Sequence, residues 1–207
     1  MLIVTLLELV GTIAFAISGA VTAINKKMDI LGICIMGIIT ACGGGVFRDI
    51  ILGQVPPVMF KEPIYALTAF AVSVFVFIPA RYRVALFESE IVNGVIQLAD
   101  AIGLGIFTAV GVNAVIRAGF GDNRFFAITL GVLTGVGGGL MRDILAGDRP
   151  YIFVKHVYAS ASIVGAACYM LVYHYRGENM AMIAGALATI LIRILAAHFR
   201  WSLPKAP

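Results

Sequence analysis

Two nearly identical phrases, GGGVFRDI at residues 43–50 and GGGLMRDI at residues 137–144, hold the residue types in this chain best suited to handling an ion. Each sets three glycines (Gly43, Gly44 and Gly45, or Gly137, Gly138 and Gly139) ahead of an adjacent Arg-Asp pair. An interior glycine costs a helix about 1 kcal/mol relative to Ala. A single one is readily explained by close helix packing. Three in a row, written twice, predict a kink or unwinding beside a polar path, because irregular backbone in a membrane survives only where protein buries it or water lines it. Carbonyl oxygens at such a break carry partial negative charge and suit a cation.

Arg48-Asp49 and Arg142-Asp143 admit two readings. They could mark where a span meets the headgroups, with Arg snorkelling outward. Apolar sequence continues past both, however, through Ile51 and Leu52 and through Leu145 and Ala146. That puts the charges part-way inside, where they need partners and mark a pathway as a gate or a brace. Adjacent residues on a helix do not face one another, so the expected partners lie across the molecule, Asp49 with Arg142 and Asp143 with Arg48. Glu8 and Asp100, near the starts of two apolar runs, are either pore mouths or partners for the arginines. Ser18, Thr40, Asn113 and Thr134 could offer oxygens to a hydrated path. Lys61 and Lys155 read as interfacial lysines. Cys34, Cys42 and Cys168 are too scattered for a disulfide framework or a zinc site, and His156, His174 and His198 sit near the ends of different segments, so no metal site is expected.

The elements that must position these residues are membrane helices. With 61% hydrophobic and 13% charged residues and a mean hydropathy of +1.01, the chain lies far from the soluble balance of roughly 45–50% apolar and 25% charged. Seven charge-poor runs reach the ~20 residues that cross a bilayer once their flanks are counted. The alternating ~10-residue segments of a barrel do not occur. The first span lacks a basic leader and is read as retained.

Self-similarity organises the spans. At an offset of 92, Glu8 aligns with Asp100, Gly11 with Gly103, Phe15 with Phe107 and Gly19 with Gly111; at 94, Thr40 aligns with Thr134 and the two glycine phrases with each other; at 93, Tyr65 aligns with Tyr158. The expectation is an all-α membrane protein forming one transmembrane domain over residues 1–207: three-helix repeats at about 5–85 and 94–176, then a seventh helix at about 179–200. Three is odd, so the repeats are inverted and the second and fifth helices are partners at the midplane. The seventh, with Ala181, Gly185 and Ala188, reads as a closing or oligomer-facing helix. Nine Lys and Arg flank one side against five on the other, which puts the N-terminus outside and the C-terminus in the cytoplasm.

The paired GGGxxRD phrases, seven spans and inverted repeats resemble the prokaryotic trimeric intracellular cation (TRIC) channels, a family also described as a glycine-transporter-type domain. The resemblance runs from about residue 6 to 200. It implies a homotrimer in the cell inner membrane, each protomer passing monovalent cations, chiefly K+, through a pore lined by kinked second and fifth helices. Partners would be membrane lipid and monovalent cations, with no cofactor beyond the permeant K+ and a bound lipid, and no nucleic acid. A secondary transporter of glycine or another small amino acid is the alternative. An enzyme is not expected, for want of a nucleophile-base pair or a metal cluster.

Overall fold

The computed structural model describes residues 2–81, 89–154 and 157–201. Among these residues seven long helices follow one another: α1 (Leu2–Asn25), α2 (Ile30–Ile51), α3 (Ile64–Arg81), α4 (Ser89–Val115), α5 (Arg124–Leu145), α6 (Ala159–Arg176) and α7 (Glu178–His198). One-turn helices, Val58–Lys61 and Tyr151–Val154, come after α2 and α5, and a π-helical turn, Ile116–Phe120, ends α4. No strand occurs among the described residues.

Six of the seven long helices are long and apolar enough to cross a membrane. The exception is α6, whose last turn runs Tyr173, His174, Tyr175, Arg176 and dilutes its apolar character. The seven-span expectation is therefore met by six helices on length and composition among the described residues, and the shortfall falls on the sixth. Outward-facing Phe75, Leu67, Leu171 and Leu191 are all more than half exposed, the pattern of a multi-pass protein solvated by lipid.

The same local signals open and close the two central helices. Asp29 caps α2 by accepting from Gly32 N at 2.7 Å, and its repeat mate Asn123 caps α5 by accepting from Phe126 N at 3.0 Å. Both helices end in a Schellman turn. Gly53 and Gly147 each take φ 71°, and the following residues, Gln54 and Asp148, donate back to the Asp49 and Asp143 carbonyls. Only glycine holds that left-handed conformation without strain.

Packing follows a pseudo-two-fold axis, with α1 against α4 and α2 against α5. Inversion is visible in two surface ion pairs. Lys26 at the end of α1 meets Asp148 beyond the end of α5, while Arg117 beyond the end of α4 meets Glu178 at the start of α7, at the opposite end of the bundle. Helical hydrogen bonding runs through both glycine triplets. Of the kink or unwinding expected there, the unwinding does not occur: neither helix is interrupted into two half-helices at its triplet.

Candidate functional site

The triplets bring two helix backbones into contact. A Cβ on Gly44 would lie 2.1 Å from the Thr134 carbonyl oxygen, and one on Gly138 would lie 2.1 Å from the Thr40 carbonyl oxygen. These are two-fold mates, so α2 and α5 cross on the pseudo-axis with each middle glycine seated on the other helix's carbonyl. Gly137 extends the contact to Gly44 Cα, and Gly43 faces the Met141 thioether. The interior glycines thus exchange helix propensity for close approach. Over the crossing, Phe15 and Phe107 stack with centroids 5.4 Å apart, both buried, each on a glycine of the other's helix, Gly103 and Gly11.

One turn further on, each Arg-Asp pair forms a clip. Arg48 gives Nε and Nη2 to Asp49 Oδ1, both at 2.8 Å; Arg142 gives Nε and Nη2 to Asp143 Oδ1 at 2.9 and 2.7 Å. The other carboxylate oxygen accepts a backbone N–H from the one-turn helix beyond, Val58 for Asp49 and Tyr151 for Asp143, each at 2.8 Å. All four charged side chains are buried. This corrects the expected pairing across the axis: a long arginine can curl back over the next residue when that carboxylate is turned by a backbone donor eight or nine residues later.

The two clips then differ. Arg142 Nη1 also donates to Asp100 Oδ1 at 2.7 Å and to the Ser18 hydroxyl, tying α5 to α4 and α1. Asp100 is fully buried, and because α4 begins eleven residues before it, the acid sits inside the helix rather than at its mouth. Its Oδ2 and the neighbouring Tyr158 hydroxyl make no hydrogen bond of ordinary geometry among the described residues. In repeat one, Glu8 turns to the Tyr65 hydroxyl at 2.7 Å and, among the described residues, forms no ion pair with Arg48. A cavity of about 40 Å³ lies there, bounded by Glu8, Thr12, Gly45, Arg48, Asp49 and Tyr65, and it is large enough for water. Gly45 opens on it, whereas its mate Gly139 is closed over by Tyr158 and Asp100.

Thr40 and Thr134 do not reach this cavity. Their hydroxyls donate to the Met36 and Leu130 carbonyls of their own helices, at 2.7 and 2.6 Å, while wedged against Gly19 and Gly111. Asn113 lies apart, accepting from Tyr169 and donating to Glu178. Lys61 is exposed; Lys155 and His156 lie outside the described residues. Sequence reasoning did not single out Tyr65, Tyr158 or Arg193. Arg193, buried on α7, stacks its guanidinium 4.8 Å over the Tyr158 ring. The repeat alignment that pairs Tyr65 with Tyr158 was the signal available for the tyrosines.

With that geometry in view, comparison with known proteins is direct. A family profile described as Glycine transporter matches twice, over residues 5–81 and 97–174. The inner membrane protein YadS of Escherichia coli K12, from the group labelled UPF0126, is 34% identical over 96% of this chain and 93% of its own. The chain belongs to this family. Its fold is that of solved TRIC channels. The Rhodobacter sphaeroides orthologue of the TRIC trimeric intracellular cation channel superposes with a TM-score of 0.88 at 31% identity, covering 97% of this chain and all of that one. A TRIC cation channel solved to explain conductance gives 0.85 at 35% identity, covering 98% and 97%. These solved structural neighbours are cation channels, not enzymes.

Proposed function

We propose that this protein is a monovalent-cation channel permeable to K+, a homotrimer with one pore in each protomer. The observation that carries the reading is the pair of buried acid-arginine sites flanking the α2–α5 crossing, one opening on a cavity and its two-fold mate sealed. Each site holds two carboxylates and one guanidinium: Glu8 and Asp49 with Arg48, Asp100 and Asp143 with Arg142. With these groups ionised each site carries one net negative charge, so the arginines do not make the route repel cations. The likeness to solved TRIC channels supports the same reading.

The route runs from the Glu8–Arg48 cavity, past Phe15 and Phe107, to Asp100 and Ser18. In the conformation described it is closed by the stacked rings and by the Arg142 bridge. Opening needs Arg142 to leave Asp100 while keeping Asp143, which frees the oxygens of Asp100 and Ser18 for an ion. The basic loops orient the chain with its N-terminus outside and its C-terminus in the cytoplasm of the inner membrane.

Purified protein in liposomes tests this against a transporter of glycine. A channel releases trapped K+ down its gradient with no saturable glycine uptake. Saturable, K+-independent glycine uptake without K+ release overturns it.

A further inference from the structure

The seventh helix has no counterpart in the repeat, and one of its side chains reaches the sealed Asp100 site. Arg193 on α7 is 5% exposed and forms no ion pair among the described residues. A guanidinium buried without a carboxylate is costly, and in a membrane protein it marks a working position. What Arg193 holds instead is the turn that opens α6. Its Cζ lies 4.8 Å over the Tyr158 ring, and its Nη1 donates to the Val157 carbonyl oxygen at 3.4 Å.

Val157 takes φ 78°, a left-handed conformation that a β-branched residue adopts only under strain. Such strain persists where neighbours hold it in place, and it clusters in segments that switch between two states. Here it sets the position of Tyr158. That residue is 2% exposed, and its hydroxyl and Asp100 Oδ1 lie 2.7 and 3.2 Å from where a Gly139 Cβ would stand. Tyr151 meets the Tyr158 ring edge-on at 6.4 Å and lies 4.9 Å under the Arg142 guanidinium. A run of cation, ring, ring and cation thus joins α7 to the arginine that bridges Asp100.

Repeat one lacks every part of this run except the second tyrosine and the final arginine. At offset 93 the mates of Tyr151 and Val157 are Val58 and Ile64, and Ile64 opens α3 without a positive φ. Among the described residues no guanidinium stacks on Tyr65, whose hydroxyl goes to Glu8 and leaves Gly45 open. The difference between the open site and the sealed one coincides with the residues that α7 and the strained turn supply.

We infer that Arg193 is the positioning residue of a gate: by holding the Val157 turn it keeps Tyr158 over Asp100 and Gly139, and release of that turn uncovers the Asp100 end as Gly45 is already uncovered. The inference rests on the cation channel proposed above. Departure of Arg142 from Asp100 is then insufficient by itself, since the phenol still covers the site.

Two readouts on the full-length protein test it. In planar bilayers, Arg193→Met is expected to raise open probability several-fold with unitary current and reversal potential unchanged, because Arg193 does not line the route. Arg193→Lys, which keeps a cation over the ring, stays near wild type. Val157→Gly lowers open probability, since glycine holds φ 78° without strain and so favours the closed turn; a glycine that merely loosened the turn would raise it. The second readout needs no current. With Cys34, Cys42 and Cys168 replaced by alanine, Ser160→Cys puts a thiol at a buried hydroxyl two residues beyond Tyr158, and its alkylation by a water-soluble reagent is expected to quicken with Arg193→Met and slow with Val157→Gly. Wild-type currents with open probability and alkylation rate unmoved by these substitutions, or moved the same way by both, overturn the gate assignment and leave the channel standing. Absence of wild-type unitary currents, with the order of alkylation rates preserved, overturns the channel and supports the Arg193-held turn.

Discussion

Arg142 is held by two carboxylates and Arg48 by one, so the same change has different consequences at the two sites. Asp49→Asn strips Arg48 of its only ion-pair partner among the described residues, leaving a buried charge uncompensated. Losing a partner in such a pair costs about 3–5 kcal/mol. Asp143→Asn leaves Arg142 bonded to Asp100, and the loss is smaller. Thermal unfolding in detergent is expected to place the Asp49→Asn midpoint well below that of Asp143→Asn; equal shifts would deny the asymmetry. That these residues lie inside the bundle and need partners was legible from the apolar sequence around them and from their repetition. How they pair was not, because the carboxylate is aimed by the Val58 and Tyr151 amides, and nothing local to the Arg-Asp dipeptide records where those amides lie.

At the scale of the helix the three glycines of each triplet have separate duties. Gly44→Ala or Gly138→Ala drives a methyl into a backbone carbonyl, which no rotamer change relieves, and overpacking of this kind costs about 1–3 kcal/mol or more. Gly45→Ala meets nothing nearer than Arg48 Nη2 at 3.9 Å and is expected to hold or raise the unfolding temperature, by up to about 1 kcal/mol from helix propensity. Gly53→Ala and Gly147→Ala, both at φ 71°, should each destabilise by about 1 kcal/mol, since Ala resists that conformation. Unfolding series on these five variants check the order. The repeats, the helix caps and the partnership of α2 with α5 follow from residue types kept at fixed offsets. The unwinding did not follow, because a glycine run both loosens a helix and lets another helix close on it. Which effect wins depends on the neighbouring backbone, here the Thr134 and Thr40 carbonyls.

For the whole molecule, the proposed channel takes the two acid-arginine sites as one route with an open end at Glu8 and a sealed end at Asp100. Asp100→Asn loosens the Arg142 bridge and removes one negative charge, so channels should stay open longer while passing a smaller unitary current. A change in neither quantity would take Asp100 out of the route. Glu8→Gln, at the cavity end, should reduce unitary current with little effect on open time, because Glu8 forms no part of the bridge. The measurement that bears most directly on the central claim is single-channel recording from purified wild-type protein in a planar bilayer across a KCl gradient. The expected result is discrete unitary currents reversing close to the K+ equilibrium potential. Absence of unitary steps from protein that is folded and inserted, or reversal towards the Cl− potential, would contradict it.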